Sequence, residues 1–299
     1  MRKSSVLFFL ILFLYDFHSI YAQDALPTIA YNQEPLQETE TLKLWHLSAD
    51  TIALNTFASF PFIDNELNVI TGDEGQLKII FDQLKSIKEG KSEQIISIVH
   101  IGDSHIRGRV FPNTVKEKLQ VVFGDKVEYK SFGINGATCF TFTNERWLRQ
   151  VKEMNPDFLI LSFGTNESHN RRYQSIVHEQ QLDELIHLLR RENKDLPILL
   201  TTPPGSYTSY RGRNRRRVYS VNSMTSNVVK TLKKYAQDKK IPIWDLFALA
   251  GGQDKACVNW YSAQLMRPDH VHFLEQGYQL QGELLYEALI KQYNEYVIR

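Results

Sequence analysis

The stretch VHIGDSHIRG, residues 99–108, decides how the chain is read. An apolar run that includes His100 and Ile101 stops at Gly102 and then presents an acid, a hydroxyl and an imidazole in Asp103, Ser104 and His105. Three readings fit these residues alone. They form a strand-to-helix turn with polar capping, the Asp-x-His of a metal site, or a tight turn carrying a reactive serine. The residues elsewhere must discriminate.

Apolar runs of strand length recur outward from this stretch, at 95–101, 127–132, 158–163, 198–202 and 241–246. Near-continuous apolar runs suit strands covered on both faces, as in parallel sheets. Between them the period changes. Leu182, Leu185, Ile186 and Leu189 share one helical face, as do Val221, Met224, Val228, Leu232 and Tyr235. A last helix over about 275–296 aligns Tyr278, Leu285, Leu289 and Tyr293. Alternating strands and helices predict an open, mostly parallel five-stranded α/β sheet with helices on both sides. In such sheets ligands bind beyond the carboxyl ends of the strands. Polar residues gather at those ends: Gly102-Asp103-Ser104-His105, then Gly133 to Thr138, then Gly164-Thr165-Asn166-Glu167, then Thr202-Pro203-Pro204-Gly205. Arg267 to Phe273 stands before the final helix.

This set meets the needs of acyl transfer. A serine hydroxyl requires an adjacent base, and the base requires a third group to fix its tautomer and orientation. Ser104 supplies the nucleophile, His272 the base and Asp269, three residues earlier, the orienting acid. The oxyanion of a tetrahedral intermediate requires preorganised donors. The Ser104 and Gly136 N–H groups and the Asn166 side-chain amide are the candidates.

Gly-Asp-Ser after the first strand, a glycine after the second, Gly-x-Asn after the third and Asp-x-x-His before the last helix resemble the blocks of the SGNH, or GDSL-type, hydrolases. The resemblance covers about residues 90–292. It implies a three-layer α/β/α sandwich around a flavodoxin-like sheet, a catalytic set of Ser104, Asp269 and His272, and an oxyanion hole of Ser104, Gly136 and Asn166. It implies no cofactor and no metal. HIGDSH, GINGAT and GTNE are most similar to bacterial exported members akin to peptidoglycan or carbohydrate O-acetylesterases.

Competing motifs are incomplete. A dinuclear metallophosphatase needs Gly-Asp-x-x-Asp and Gly-Asn-His after its Asp-x-His, and neither occurs. His270 and His272 lack evident companion carboxylate or cysteine ligands. No Gly-x-Ser-x-Gly marks the nucleophile elbow of the α/β-hydrolases. His100 reads as a hydrogen-bonded core residue and Asp103 as a structural turn acid. His105 is open between substrate contact and structure, Glu167 suits a hydrogen-bonding loop role, and His270 is a solvated neighbour or a substrate contact.

Residues 1–22 have the layout of a signal peptide: Arg2 and Lys3, an apolar Val6–Tyr15 run, and Ile20-Tyr21-Ala22 as a cleavage site. The run is too short for a membrane span. Residues 23–58 read as an arm or linker and 59–299 as the hydrolase domain. Export to the periplasm or medium follows, with no stable membrane insertion after cleavage. Loss of Arg2, Lys3 and Asp16 leaves a mature chain without net charge, a poor fit to nucleic acid. Two cysteines, Cys139 and Cys257, cannot build a disulfide scaffold, although an exported chain can join them. Five arginines and two tyrosines fill SYTSYRGRNRRR, residues 206–217, beyond the fourth strand. This is a solvated basic loop, or a surface where Arg213, Arg215 and Arg216 grip an acidic polymer and Tyr207 and Tyr210 stack on sugars.

The reading is therefore an exported serine esterase that removes O-acetyl groups from a glycan, with peptidoglycan as a candidate. The alternatives are a lipid-directed acylhydrolase or thioesterase, and a glycan-binding protein of the same fold without activity. Oligomeric state is not legible in the sequence.

Overall fold

The computed structural model describes residues 51–54, 60–73, 75–213 and 215–299. The signal segment and most of the stretch read as an arm lie outside the described residues. Among these residues eight strands form: β1 (Ile70–Thr71), β2 (Ile96–Gly102), β3 (Val127–Gly133), β4 (Phe158–Ser162), β5 (Ile198–Thr201), β6 (Tyr207–Arg211), β7 (Arg217–Val221) and β8 (Ile243–Trp244). Six of them build one sheet in the order β1-β8-β5-β4-β2-β3, and β6 pairs with β7 in a separate hairpin. β2, β3, β4, β5 and β8 run parallel. Taken in chain order, those five follow the flavodoxin-like arrangement 2-1-3-4-5, whose switch point lies between β2 and β4.

Strand side chains alternate between two cores. Ile96, Ile98, Phe158, Ile160 and Leu199 face one apolar cluster. Val99, Ile101, Leu159, Leu161, Ile198 and Leu200 face the other. The first cluster is covered by α1 (Lys78–Lys88), α3 (Val110–Phe123) and the 24-residue α10 (Glu275–Ile298). The second is covered by α4 (Glu145–Glu153), α6 (Ser175–Leu189) and α7 (Met224–Lys239). Three layers result because apolar residues fill both faces of the strands. Short helices α2 (Ser104–Arg107), α5 (Thr165–Ser168), α8 (Leu246–Leu249) and α9 (Gly252–Ser262) complete the set.

The register brings the strand ends level: Gly102 opposes Gly133 on one side and Ser162 on the other. A Cβ at Gly102 would fall 2.5 Å from the Ser162 carbonyl oxygen and from Ile106 Cγ1. Glycine there lets the chain turn tightly over β4, which answers why the apolar run ends as it does.

Several details differ from the sequence reading. β1 is a sixth, antiparallel edge strand beyond the five expected. At two residues it is too short to show a period. The fifth parallel strand is only Ile243–Trp244, not 241–246. Asp245 ends it by capping α8, accepting from Ala248 N at 3.1 Å. SYTSYRGRNRRR is not a loop. It contains β6 and starts β7 of the hairpin. Cys139 and Cys257 are free and buried, so the two are not joined. Ile52, in the stretch read as an arm, donates to Asn294 Oδ1 at 2.8 Å and accepts from Asn294 Nδ2 at 2.8 Å. That residue is tied to α10.

Candidate active site

Three strand ends and one loop converge on a cleft of about 650 Å³ lined by Ser104, Arg107, Gly136, Thr165, Asn166, Arg267, Asp269, His272 and Tyr278, among others. Its size falls in the range of small-molecule sites. Ser104 opens α2 directly after β2. Asp103 caps that helix by accepting from His105 N at 2.9 Å. The segment after β3 is anchored to β2 by Ile134 N donating to Gly102 O at 3.1 Å. It then passes through Gly136 at φ 72°, a left-handed conformation that glycine adopts without strain, and a Cβ there would meet open space. Asn166 lies in α5, after β4.

His272 is held by its own loop. Arg267 N donates to His272 O at 2.8 Å, and Met266 bridges Phe273. Asp269 Oδ1 accepts from Val271 N at 2.9 Å and His272 N at 2.8 Å, while its Oδ2 lies 2.8 Å from His272 Nδ1. Burial works to raise the Asp269 pKa, but these backbone N–H groups and the imidazole outweigh it and hold the carboxyl below its ordinary value. The other ring nitrogen, His272 Nε2, lies 2.8 Å from Ser104 Oγ. With Nδ1–H donating to Asp269 Oδ2, Nε2 presents a lone pair to the serine hydroxyl.

Asn166 Nδ2 donates to Ala137 O at 2.8 Å and, at a longer 3.3 Å, to Asp103 Oδ2. The first bond fixes the amide, and the longer second one engages its other N–H, which an acceptor in the cleft would have to take over from Asp103. Burial pushes the Asp103 carboxyl up to about 8, with Glu167 nearby adding to the rise.

The GDSL-like lipase/acylhydrolase family model matches residues 97–280. The chain belongs to that family. This acylhydrolase is therefore a carboxylic ester hydrolase with the SGNH fold. No curated protein matches it at a significant level. Among solved structures, a peptidoglycan O-acetylesterase superposes with a TM-score of 0.66 at 16% identity, covering 76% of this chain and 99% of the other. A two-domain esterase active on acetylated mannans gives a TM-score of 0.54 at 16% identity, covering 78% of this chain and 57% of the other. These likenesses concern the fold.

The structure brings Ser104, Gly136, Asn166, Asp269 and His272 of this acylhydrolase together in one cleft. It does not bring Arg213, Arg215 and Arg216 there. They are exposed in the turn of the β6–β7 hairpin, beyond the terminal Arg211–Arg217 pair. The base of that hairpin is what meets the site. Tyr207 N donates to His270 O at 2.9 Å, and Tyr219 Oη donates to Pro268 O at 3.2 Å. His270 is stacked between Tyr219 at 4.0 Å and Tyr261 at 4.8 Å, which corrects its reading as a solvated neighbour or substrate contact. Tyr207 packs edge-on against the same ring at 5.3 Å, so its ring serves this cluster.

His100 and His105 are both held inside the fold. His100 joins Tyr129 Oη at 2.8 Å and Ser162 Oγ at 2.6 Å inside the sheet. Buried His105 meets Tyr278 Oη at 3.0 Å, and its ring packs 5.5 Å from that of His272. Burial drives both of their pKa values down to about 3.

Glu167 has a larger part than the sequence suggested. Its Oε1 accepts from Cys139 N at 2.8 Å and its Oε2 from Gly164 N at 2.9 Å. One buried carboxyl thus clasps the Gly136 segment to the Asn166 segment. Cys139, Glu167 and His178 are the only group of three ligand-type side chains close together among the described residues, within 4.8 Å of one another. A tetrahedral zinc site needs ligand atoms about 3.5 Å apart. His178 Nε2 stands 3.9 Å from Glu167 Oε1, and that carboxylate is already spent on two backbone donors, so the trio fits a structural clasp better than a metal centre.

Proposed function

We propose that this acylhydrolase is an exported serine esterase that removes O-acetyl groups from a glycan, with Ser104 as nucleophile, His272 as base and Asp269 as orienting acid. The observation that carries this reading is the pair of 2.8 Å contacts, Ser104 Oγ to His272 Nε2 and His272 Nδ1 to Asp269 Oδ2. In this mechanism His272 Nε2 takes the Ser104 proton as Oγ attacks the acetyl carbonyl. The oxyanion is met by Ser104 N–H, Gly136 N–H and Asn166 Nδ2. Collapse releases the sugar hydroxyl, which receives the proton from His272. Water then repeats the sequence on the acetyl-serine, releasing acetate and restoring Ser104. Each step uses groups of this chain, the substrate ester and one water molecule.

Three features support the acetyl and glycan parts of the reading. The cleft lining is rich in polar and charged residues, whereas a long acyl chain gains about 0.8 kcal/mol per buried methylene only in an apolar channel. The solved neighbours with the same fold include a peptidoglycan O-acetylesterase and an esterase active on acetylated mannans. The signal-type N-terminus suits a polymer outside the cytoplasm, and among the described residues no helix is long and apolar enough to cross a membrane. Arg213, Arg215 and Arg216 on the hairpin turn would meet such a polymer away from the cleft.

The test compares acetyl, butanoyl and octanoyl esters of p-nitrophenol and O-acetylated peptidoglycan, with Ser104→Ala as control. Acetyl esters are expected to be cleaved best, and Ser104→Ala to lose about 10⁴–10⁶ in kcat while remaining folded. Faster octanoyl cleavage would favour the lipid-directed reading. A folded Ser104→Ala protein with wild-type turnover would end the serine-esterase reading.

A further inference from the structure

Two guanidinium groups line the cleft beside the reacting pair, one on each element that carries it. Arg107 is three residues after Ser104 on the single turn of α2, so both project from one side of that turn. Arg267 is paired through its backbone N–H with the His272 carbonyl at 2.8 Å, at the mouth of the loop that holds the base. Both arginines are exposed, and neither guanidinium hydrogen-bonds or ion-pairs with another described residue.

Among the described residues, Asp269 is the only acid lining the cleft. Its oxygens bond to His272 Nδ1 and to the backbone of Val271 and His272, it ion-pairs with neither arginine, and its one negative charge is outnumbered by two guanidiniums. Elsewhere many basic side chains do have acidic partners, such as Lys233 with Asp245 and Lys239 with Asp183. Two uncommitted arginines therefore stand where substrate must lie, on a chain whose overall charge is close to zero.

We infer that Arg107 and Arg267 form a subsite for a carboxylate borne by the acetylated sugar or its immediate neighbour, which makes an acidic glycan the preferred substrate class. Arginine suits this role because its planar donors match a carboxylate and remain charged. The subsite differs from the hairpin arginines, which lie outside the cleft. The inference rests on the esterase reading for its substrate, but anion binding can be measured without turnover.

The experiment has two arms. In the first, wild type and the variants Arg107→Gln and Arg267→Gln are assayed on O-acetylated polygalacturonate and on acetylated mannan, which is neutral. The readout is the ratio of the two kcat/KM values. Wild type should favour the acidic polymer, each variant should lower the ratio about tenfold, and added salt should lower it for wild type. In the second arm, Ser104→Ala is titrated with deacetylated polygalacturonate by calorimetry, alone and combined with each arginine change. Binding should weaken about tenfold with each arginine removed. A ratio unchanged in both folded variants, or polygalacturonate binding indifferent to both arginines, overturns the subsite. Absence of any Ser104-dependent turnover alongside arginine-dependent binding would instead overturn the esterase reading and leave the subsite standing.

Discussion

His272 Nε2 stands 2.8 Å from Ser104 Oγ across 168 residues of sequence. The contact joins the end of β2 to the loop before α10. His270, two residues away, makes no such contact and is stacked between Tyr219 and Tyr261. The neighbouring histidines should therefore respond unequally to substitution. His272→Ala is expected to lose about 10⁴ or more in kcat, because the serine is left without its base. His270→Ala should lose about tenfold, because it loosens the loop without removing a reacting group. Steady-state kinetics on p-nitrophenyl acetate separates the two. Equal losses in two folded variants would mean the base is misassigned.

Asn166 presents an amide fixed by the Ala137 carbonyl at 2.8 Å. Asn166→Ala is expected to lower kcat by about 10²–10³, the usual effect of removing one oxyanion donor. KM should change much less, because the donor acts on charge that develops in the transition state. A large rise in KM with kcat unchanged would make Asn166 a ground-state binder.

Glu167 gives one carboxylate oxygen to Cys139 N and the other to Gly164 N. Glu167→Gln keeps one acceptor and turns an NH₂ toward the other backbone donor. The cost of such a broken buried bond is about 1–3 kcal/mol, and it should appear as a lowered Tm. Because both oxyanion segments hang from this clasp, kcat should fall more than KM rises. A variant with wild-type Tm and kcat would return Glu167 to a passive loop position.

Much of this arrangement was legible because it depends on local pattern. Near-continuous apolar strands, such as Ile96–Gly102 and Phe158–Ser162, announce a sheet covered on both faces, and Ser104, Asn166 and His272 sit at motif positions. What was not legible is tertiary. Nothing around His270 signals that Tyr219 and Tyr261 will stack on it, since all three come from different elements. Glu167 is bonded to a residue 28 positions away, a partner that no spacing reveals. β1 escapes because two residues cannot display a period. Residues 211–217 are dense in arginine, yet Arg107 and Arg267, outside that cluster, are the arginines that line the cleft.

The hairpin turn should matter for a polymer and little for a small ester. Its strands pair from Tyr207–Val221 at the base to Arg211–Arg217 at the far end, which places Arg213, Arg215 and Arg216 roughly 15 Å beyond the base. Replacing these three with glutamine should raise KM on an acidic acetylated polymer severalfold relative to p-nitrophenyl acetate. Identical ratios for variant and wild type would identify the turn as solvated surface.

Asp103 supplies a test by pH. Burial raises its carboxyl to about 8 in the folded chain, against an ordinary value of 3.8. Between these two values the folded protein retains a proton that the unfolded chain has released. Linkage then makes stability fall as pH rises through that window, by at most about 1.4 kcal/mol per pH unit from this group, and level off above pH 8. Asp103→Asn cannot titrate and keeps an acceptor for His105 N, as the neutral acid does. The variant should match wild type near pH 4, surpass it in urea midpoint at pH 9, and show a flatter profile between. Its turnover should also persist on the alkaline side, where an ionised Asp103 would oppose the oxyanion beside Asn166 in wild type. Urea unfolding at pH 5, 7 and 9 decides the matter. Parallel midpoints for the two proteins across the window would mean that Asp103 is ionised throughout, held as a charge by the N–H groups around it.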